Sequence, residues 1–179
     1  ANGVPIARNI IYGGFSQYLA VPGGSYHIII YPAGLTANPL LNTNITIPGG
    51  SIFTISAIGT IPDIVLLPVE EPRMTIPNGQ LMIRFVNLSP NSPAIDVDIQ
   101  GGNQIISNVA YKGVSQYVPL NPGTYAFSLK VAGTEQRLLY VPNIRLEAGK
   151  FYTINAIGIL TGNPPLQVLI PLDGNTYIR

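Results

Sequence analysis

The stretch Asn9-Ile-Ile-Tyr-Gly-Gly-Phe-Ser-Gln-Tyr-Leu-Ala-Val-Pro-Gly-Gly-Ser-Tyr26 decides how this chain is organised. It recurs as Asn108-Val-Ala-Tyr-Lys-Gly-Val-Ser-Gln-Tyr-Val-Pro-Leu-Asn-Pro-Gly-Thr-Tyr125, 99 residues later and without a gap. The same spacing carries Ala33-Gly34 onto Ala132-Gly133, and Thr54-Ile-Ser-Ala-Ile-Gly59 onto Thr153-Ile-Asn-Ala-Ile-Gly158. A fixed internal period of this length means two copies of one domain.

No helical periodicity runs through either copy. With 19 Gly and 17 Pro in 179 residues, breakers recur between short runs rich in Ile, Val, Tyr and Thr. That punctuation is the pattern of an all-β sandwich or barrel. Gly23-Gly24, Pro48-Gly-Gly50, Asn121-Pro-Gly123 and Glu147-Ala-Gly149 read as turns, the first and third as hairpin turns.

Alternation assigns faces. Tyr125, Phe127, Leu129 and Val131 alternate with Ala126, Ser128 and Lys130, so the first set is expected to face the core. By register Tyr26, Ile28 and Ile30 face the core of the first copy, and His27, Ile29 and Tyr31 face outward. Val65, Leu67 and Val69 match Val168, Ile170 and Leu172 at a spacing of 103, which puts Ile64 outward as well. The first copy is therefore expected to present an apolar outer surface, and His27, Ile29, Tyr31 and Ile64 are its candidate interface residues.

Residues 1–71 form the first repeat, 72–79 a Pro-containing linker and 80–179 the second repeat with a C-terminal tail. The stretch Gln80 to Ile99 reads as two strands flanking Ser89-Pro-Asn-Ser-Pro93, and it has no counterpart in the first copy. The first domain is thus expected to lack its opening strands, leaving an unpaired sheet edge. Three explanations compete: residues preceding Ala1, a strand from another subunit, or a smaller first domain.

Ile83-Arg-Phe-Val-Asn-Leu-Ser-Pro-Asn-Ser-Pro-Ala-Ile-Asp-Val-Asp98 resembles the R-x-x-x-x-S-P-x-x-P-x-x-D-V opening of the bacterial and archaeal domain of unknown function 4397. Ser107 to Tyr117, Pro122-Gly-Thr-Tyr125 and Leu146 to Ile154 are similar to later motifs of that family. The resemblance implies two tandem immunoglobulin-like β-sandwich domains, secreted or surface-attached, and no enzymatic activity. The Tyr- and Pro-rich, charge-poor character resembles members from spore-forming bacteria.

Composition narrows the function. Only 9% of residues are charged, against about a quarter in ordinary soluble domains, so neighbours are expected to cover part of the surface. A net charge of +1 gives no field to draw nucleic acid. No apolar run is long enough for a membrane span, and no signal peptide is visible at Ala1-Asn-Gly3. Without Cys there is no disulfide or thiolate metal site.

The chemistry-bearing inventory is small. His27 is the one histidine and has no acidic neighbour in sequence. Asp96 and Asp98 share a strand face, where oxygen ligands suit Ca²⁺, but two carboxylates are few for a dedicated site. Arg84 or Lys130 is the alternative partner for either. The Gly-Gly pairs lack the Lys-Ser/Thr of a phosphate loop. Asn44-Ile-Thr46 and Asn87-Leu-Ser89 match a glycosylation sequon, a pattern frequent by chance. The repeated tyrosines favour a shared packing role over sugar stacking.

No catalytic residue, cofactor or metal is therefore expected. The expected function is a structural protein of the cell or spore surface, a self-assembling subunit of an extracellular filament or surface layer joined by β-strand complementation. The competing expectation is a monomeric adhesion module for a surface glycan or protein ligand.

Overall fold

The structure is a computed structural model, described over residues 1–177. It is all-β apart from a single 3-10 turn at Gly174–Thr176 and divides into two compact units, Ala1–Pro72 and Arg73–Arg179.

Unit 2 shows what the repeat builds when complete. Its strands are β5 (Leu81–Asn87), β6 (Ile95–Ile99), β7 (Gln104–Val109) and β8 (Val118–Leu120), then β9 (Gly123–Val131), β10 (Arg137–Leu146), β11 (Phe151–Ile157) and β12 (Gln167–Leu169), with unit 1's four strands taking β1 to β4. They form two four-stranded sheets, in the orders β10-β9-β6-β7 and β12-β11-β5-β8. Leu81, Ile83 and Phe85 from one sheet meet Ile95, Val97, Phe127 and Leu129 from the other, all 0% exposed. A single apolar layer between two sheets is a β-sandwich. The consecutive strands β5 and β6 form an arch from one sheet to the other and supply the middle of both, since β5 lies between β11 and β8 and β6 between β9 and β7. Every residue of β5 is buried, and so is every residue of β11, its parallel neighbour.

Unit 1 contains β1 (Gly24–Ile30), β2 (Leu41–Ile47), β3 (Phe53–Ile58) and β4 (Val65–Glu70), paired only as β1-β2 and β3-β4. Tyr26 and Tyr125 make β1 the equivalent of β9; Thr54 and Thr153 make β3 the equivalent of β11. Each two-stranded sheet therefore corresponds to the outer half of a four-stranded one. The edges of β1 and β3 that meet β6 and β5 in unit 2 have no strand beside them.

The consequence spreads to segments that the sequence repeats faithfully. Residues 5–10 and 19–21 correspond to β7 and β8 but adopt no strand. The reason is pairing: β7 hydrogen-bonds only to β6 and β8 only to β5, so without the central β5–β6 arch neither has a ladder to join. Ile6, Ile10, Ile11, Phe15, Leu19 and Val21 are consequently exposed, Ile11 at 77% and Phe15 at 70%. Burying one such side chain is worth about 1.5–3 kcal/mol, so this surface carries a large unmet driving force.

Two sequence readings change. Ser56 pairs with Leu67 as Asn155 pairs with Leu169, so the last strands match at a spacing of 102 (Leu67 to Leu169) rather than 103. Within β4, Val69 is buried and Leu67 half-buried, as the alternation expects, whereas Val65 is 38% exposed and the neighbouring Ile64 is half-buried. The turns at Gly23-Gly24 and Asn121-Pro-Gly123 are not hairpins. The second joins β8 to β9, which lie in opposite sheets, and so carries the chain across the sandwich.

Candidate functional site

The site that the repeat brings together is the seat of the central β5–β6 arch. In unit 2 it is centred on Arg84, which β5 places directly opposite Thr153 of β11. The guanidinium Nε donates to Thr153 Oγ1 at 2.9 Å and lies 3.7 Å from Asp173 Oδ2. Thr153 Oγ1 donates in turn to Asp173 Oδ2 at 2.7 Å, and the Tyr117 hydroxyl donates to the same oxygen at 2.5 Å. The Tyr117 ring lies beneath the guanidinium, 4.6 Å from its carbon, and meets Phe151 edge-on at 5.3 Å. Arg84 and Asp173 are each 2% exposed, so the pair is deeply buried and its cost is met by these hydrogen bonds and the ring.

Further anchors hold the arch. Ser115 Oγ accepts the Phe85 N–H at 2.9 Å while the Ser115 N–H donates to the Phe85 carbonyl at 2.9 Å. On β6, Asp96 accepts the backbone N–H groups of Asn108 (2.7 Å) and Gly133 (2.8 Å). Asp98 pairs with Lys130 at 2.7 Å. Both carboxylates considered for Ca²⁺ are thus engaged by the protein's own donors. No group of three or more metal-ligating side chains occurs among the described residues.

Unit 1 has the same receiving groups. Tyr18, Thr54 and Glu71 stand where Tyr117, Thr153 and Asp173 stand in unit 2. The last equivalence is fixed by the backbone: Glu71 N–H donates to the Ile52 carbonyl at 2.8 Å, as Asp173 N–H donates to that of Phe151 at 3.0 Å. Tyr18 and Thr54 hydroxyls donate to Glu71 Oε1 at 2.5 and 2.6 Å, and Glu71 is 1% exposed. Ser16 bonds the Gln17 carbonyl as Ser115 bonds that of Gln116. Asn9 and Asn108 share the left-handed backbone, φ 53 and 54, and so do Gly34 and Gly133.

Sequence reasoning missed this site. It gave Glu71, the last residue of the first repeat, no role, and offered Arg84 only as a partner for Asp96 or Asp98, where Lys130 is the residue that pairs with Asp98. The repeated Thr54 and Tyr18 were the available signal. The four residues named as interface candidates lie elsewhere: His27 and Tyr31 are exposed, Ile29 and Ile64 half-buried. His27 Nε2 contacts Asn42 Oδ1 at 2.6 Å. Of the repeated tyrosines, the Tyr125 hydroxyl donates to the Asn121 carbonyl at 2.7 Å and Tyr26 makes the same bond to Pro22, whereas Tyr12 and Tyr18 are exposed. Asn87, one sequon asparagine, is 0% exposed and donates to the Val109 carbonyl at 3.1 Å.

Fold and seat together define a tandem β-sandwich protein whose second unit clamps its central β5–β6 arch with a buried Arg–Thr–acid–Tyr network. The chain belongs to the family described as domain of unknown function DUF4397, whose model matches residues 1–98 and 96–179. The matched boundary falls inside β6, whereas the compact units divide at Pro72 and Arg73. No curated protein gives a significant match. No helix among the described residues is long and apolar enough to cross a membrane.

Proposed function

We propose that this protein is a non-enzymatic structural component of the cell or spore exterior. In this reading unit 1 is a β-strand acceptor, through which the protein is built into a filament or surface layer. The observation that carries the proposal is the pairing of unit 1. It forms only the outer strand pairs of a sandwich, with no strand beside β1 or β3 where unit 2 holds β6 and β5, and with Asn2 bonding the His27 backbone on that side of β1.

An open edge beside exposed apolar side chains is a template for strand addition. The low charge content supports the same reading, because the chain has few groups to keep such a surface solvated. Fibres follow when each joint is head-to-tail and its rotation does not close.

Electron microscopy of the protein as isolated from its source, with mass spectrometry of its N-terminus, tests the proposal. Filaments or sheets with an added strand pair beside β1 and β3 are expected. Dispersed monomers, or a strand pair continuous with Ala1, would overturn it.

A further inference from the structure

We infer that the outer edge of β2 is a self-association surface, on which β2 of one chain pairs antiparallel with β2 of a second copy. The inference goes beyond the proposed role and uses the opposite edge of the β1-β2 sheet. In unit 2 the equivalent strand, β10, is also the outermost of its sheet. This edge is therefore the rim of the repeat, whatever lies beside β1.

The backbone fixes which groups β2 turns outward. Opposed residues of an antiparallel pair either bond each other or both turn away. His27 stands opposite Asn44, yet its N–H donates to Asn2 Oδ1 at 2.8 Å and its carbonyl accepts the Asn2 N–H at 2.9 Å. His27 thus turns away from β2, and Asn44 turns its own N–H and C=O to the far side. Asn42 and Thr46, two positions either way, do the same. β2 pairs with β1 over its whole length without a register shift, so these groups form one even row. Among the described residues no strand joins them.

Unit 2 shows the same edge blunted. At the spacing of 99, Thr43, Asn44 and Thr46 become Pro142, Asn143 and Arg145. Pro142 has no N–H to offer, Asn143 has φ 60, and the β10 register shifts between Val141 and Ile144. Proline, a bulge and charge are the means by which sheet edges avoid pairing. β2, Leu-Asn-Thr-Asn-Ile-Thr-Ile, has none of them.

The sequence of β2 selects a second copy as the partner. About a two-fold axis at Asn44, Asn44 meets its counterpart, Asn42 meets Thr46, Thr43 meets Ile45 and Leu41 meets Ile47. Each outward-turned backbone group then meets another that is turned outward. Asn42, Asn44 and Thr46 are exposed, and their amides and hydroxyls bond across the seam on one face. Leu41, Thr43 and Ile45 are half-buried and Ile47 buried, so the other face continues the apolar layer. Neither strand carries a charge, and like-charge repulsion across the seam is absent. A marginal two-stranded sheet becomes four-stranded. The contact is the same on both sides and closes, so alone it yields dimers and not fibres.

Sedimentation velocity of the 179-residue protein over a concentration series, with amide hydrogen exchange, tests the inference. A monomer–dimer equilibrium is expected, in which the amides of Asn42, Asn44 and Thr46 slow as the dimer forms. Asn44→Pro removes an outward N–H from each chain and spares the β1–β2 ladder. It is expected to weaken association at least about tenfold, the size of two lost hydrogen bonds. Asn44→Lys and Asn44→Asp each set like charges against each other at the axis and should associate more weakly alone. Their equimolar mixture should dimerise as the parent does. These two changes lie at an exposed position, so the charge test stands even if the proline variant misfolds. Asn143→Lys, on the blunted edge of β10, should change nothing.

A monomer at every concentration, a dimer indifferent to both charge variants, or a mixture no tighter than its components would each overturn the inference. So would a dimer in which Asn42, Asn44 and Thr46 exchange as fast as in the monomer.

Discussion

At the scale of single residues, the repeat marks where backbone geometry is strictly required. Gly158 ends β11 with φ +91, and a Cβ there would lie 2.1 Å from the Pro165 carbonyl oxygen. Gly149 has φ +74 but open space around its missing Cβ. Gly149→Ala is therefore expected to cost about 1 kcal/mol, from backbone strain alone, and Gly158→Ala roughly 3 kcal/mol or more. Denaturant midpoints at unchanged slope would check the ranking.

The Arg84–Asp173 pair makes a second residue-scale prediction. Arg84→Met leaves a buried carboxylate behind and is expected to destabilise unit 2 by about 3–5 kcal/mol, whereas Arg84→Met with Asp173→Leu should lose much less than the sum. Titration gives a third. Lys150 lies 2.5 Å from Glu147 and holds its carboxyl below the ordinary glutamate value, chiefly through their hydrogen bond. Its stabilising contribution is thus present above the unfolded-state pKa and is lost as pH falls through the folded one. NMR titration should find the Glu147 midpoint depressed, and Lys150→Gln should restore it. Little of the arch's seat was legible at this scale. Glu71 and Asp173 differ in residue type, and their spacing differs from that of Thr54 and Thr153.

At the scale of elements, most strands were readable and their partners were not. Alternation correctly sent Phe127 and Leu129 inward, because a strand with one buried face must alternate. In β4 it sent Val69 inward correctly but also Val65, which is 38% exposed, and the loop before β12 hides a one-residue change of spacing. The segments 5–10 and 19–21 show the limit most clearly: their sequence repeats that of strands, but a strand exists only where a neighbour completes its ladder. Amide exchange should report this directly. These two segments are expected to exchange near unprotected rates, β1 and β3 more slowly, and β5 and β11 slowest of all. Equal protection of residues 5–10 and 104–109 would contradict the pairing described here.

At the scale of the whole molecule, the two copies are equal in sequence pattern and unequal in completeness. Unit 2 contains the β5–β6 arch and both halves of its core, whereas unit 1 buries chiefly Ile47, Ile52, Ile58 and Val69 among its apolar residues. The tandem organisation was legible because repeated residues survive alignment; the inequality showed in sequence only as an unmatched twenty-residue stretch. Its energetic meaning required seeing that this stretch occupies the centre of both sheets. A fragment beginning at Arg73 therefore contains all the strands of its sandwich and should unfold in one cooperative step, with the chemical shifts it has in the full chain. A fragment ending at Pro72 has four strands in two separate pairs, and isolated two-stranded sheets are marginal in water. It should give the circular dichroism of a largely disordered chain, and in the full protein the tyrosines of unit 1 should lose their native signals at lower denaturant than those of unit 2. If the short fragment instead melts cooperatively by itself, its half-sandwich is a finished domain, and the strand-acceptor role falls with it.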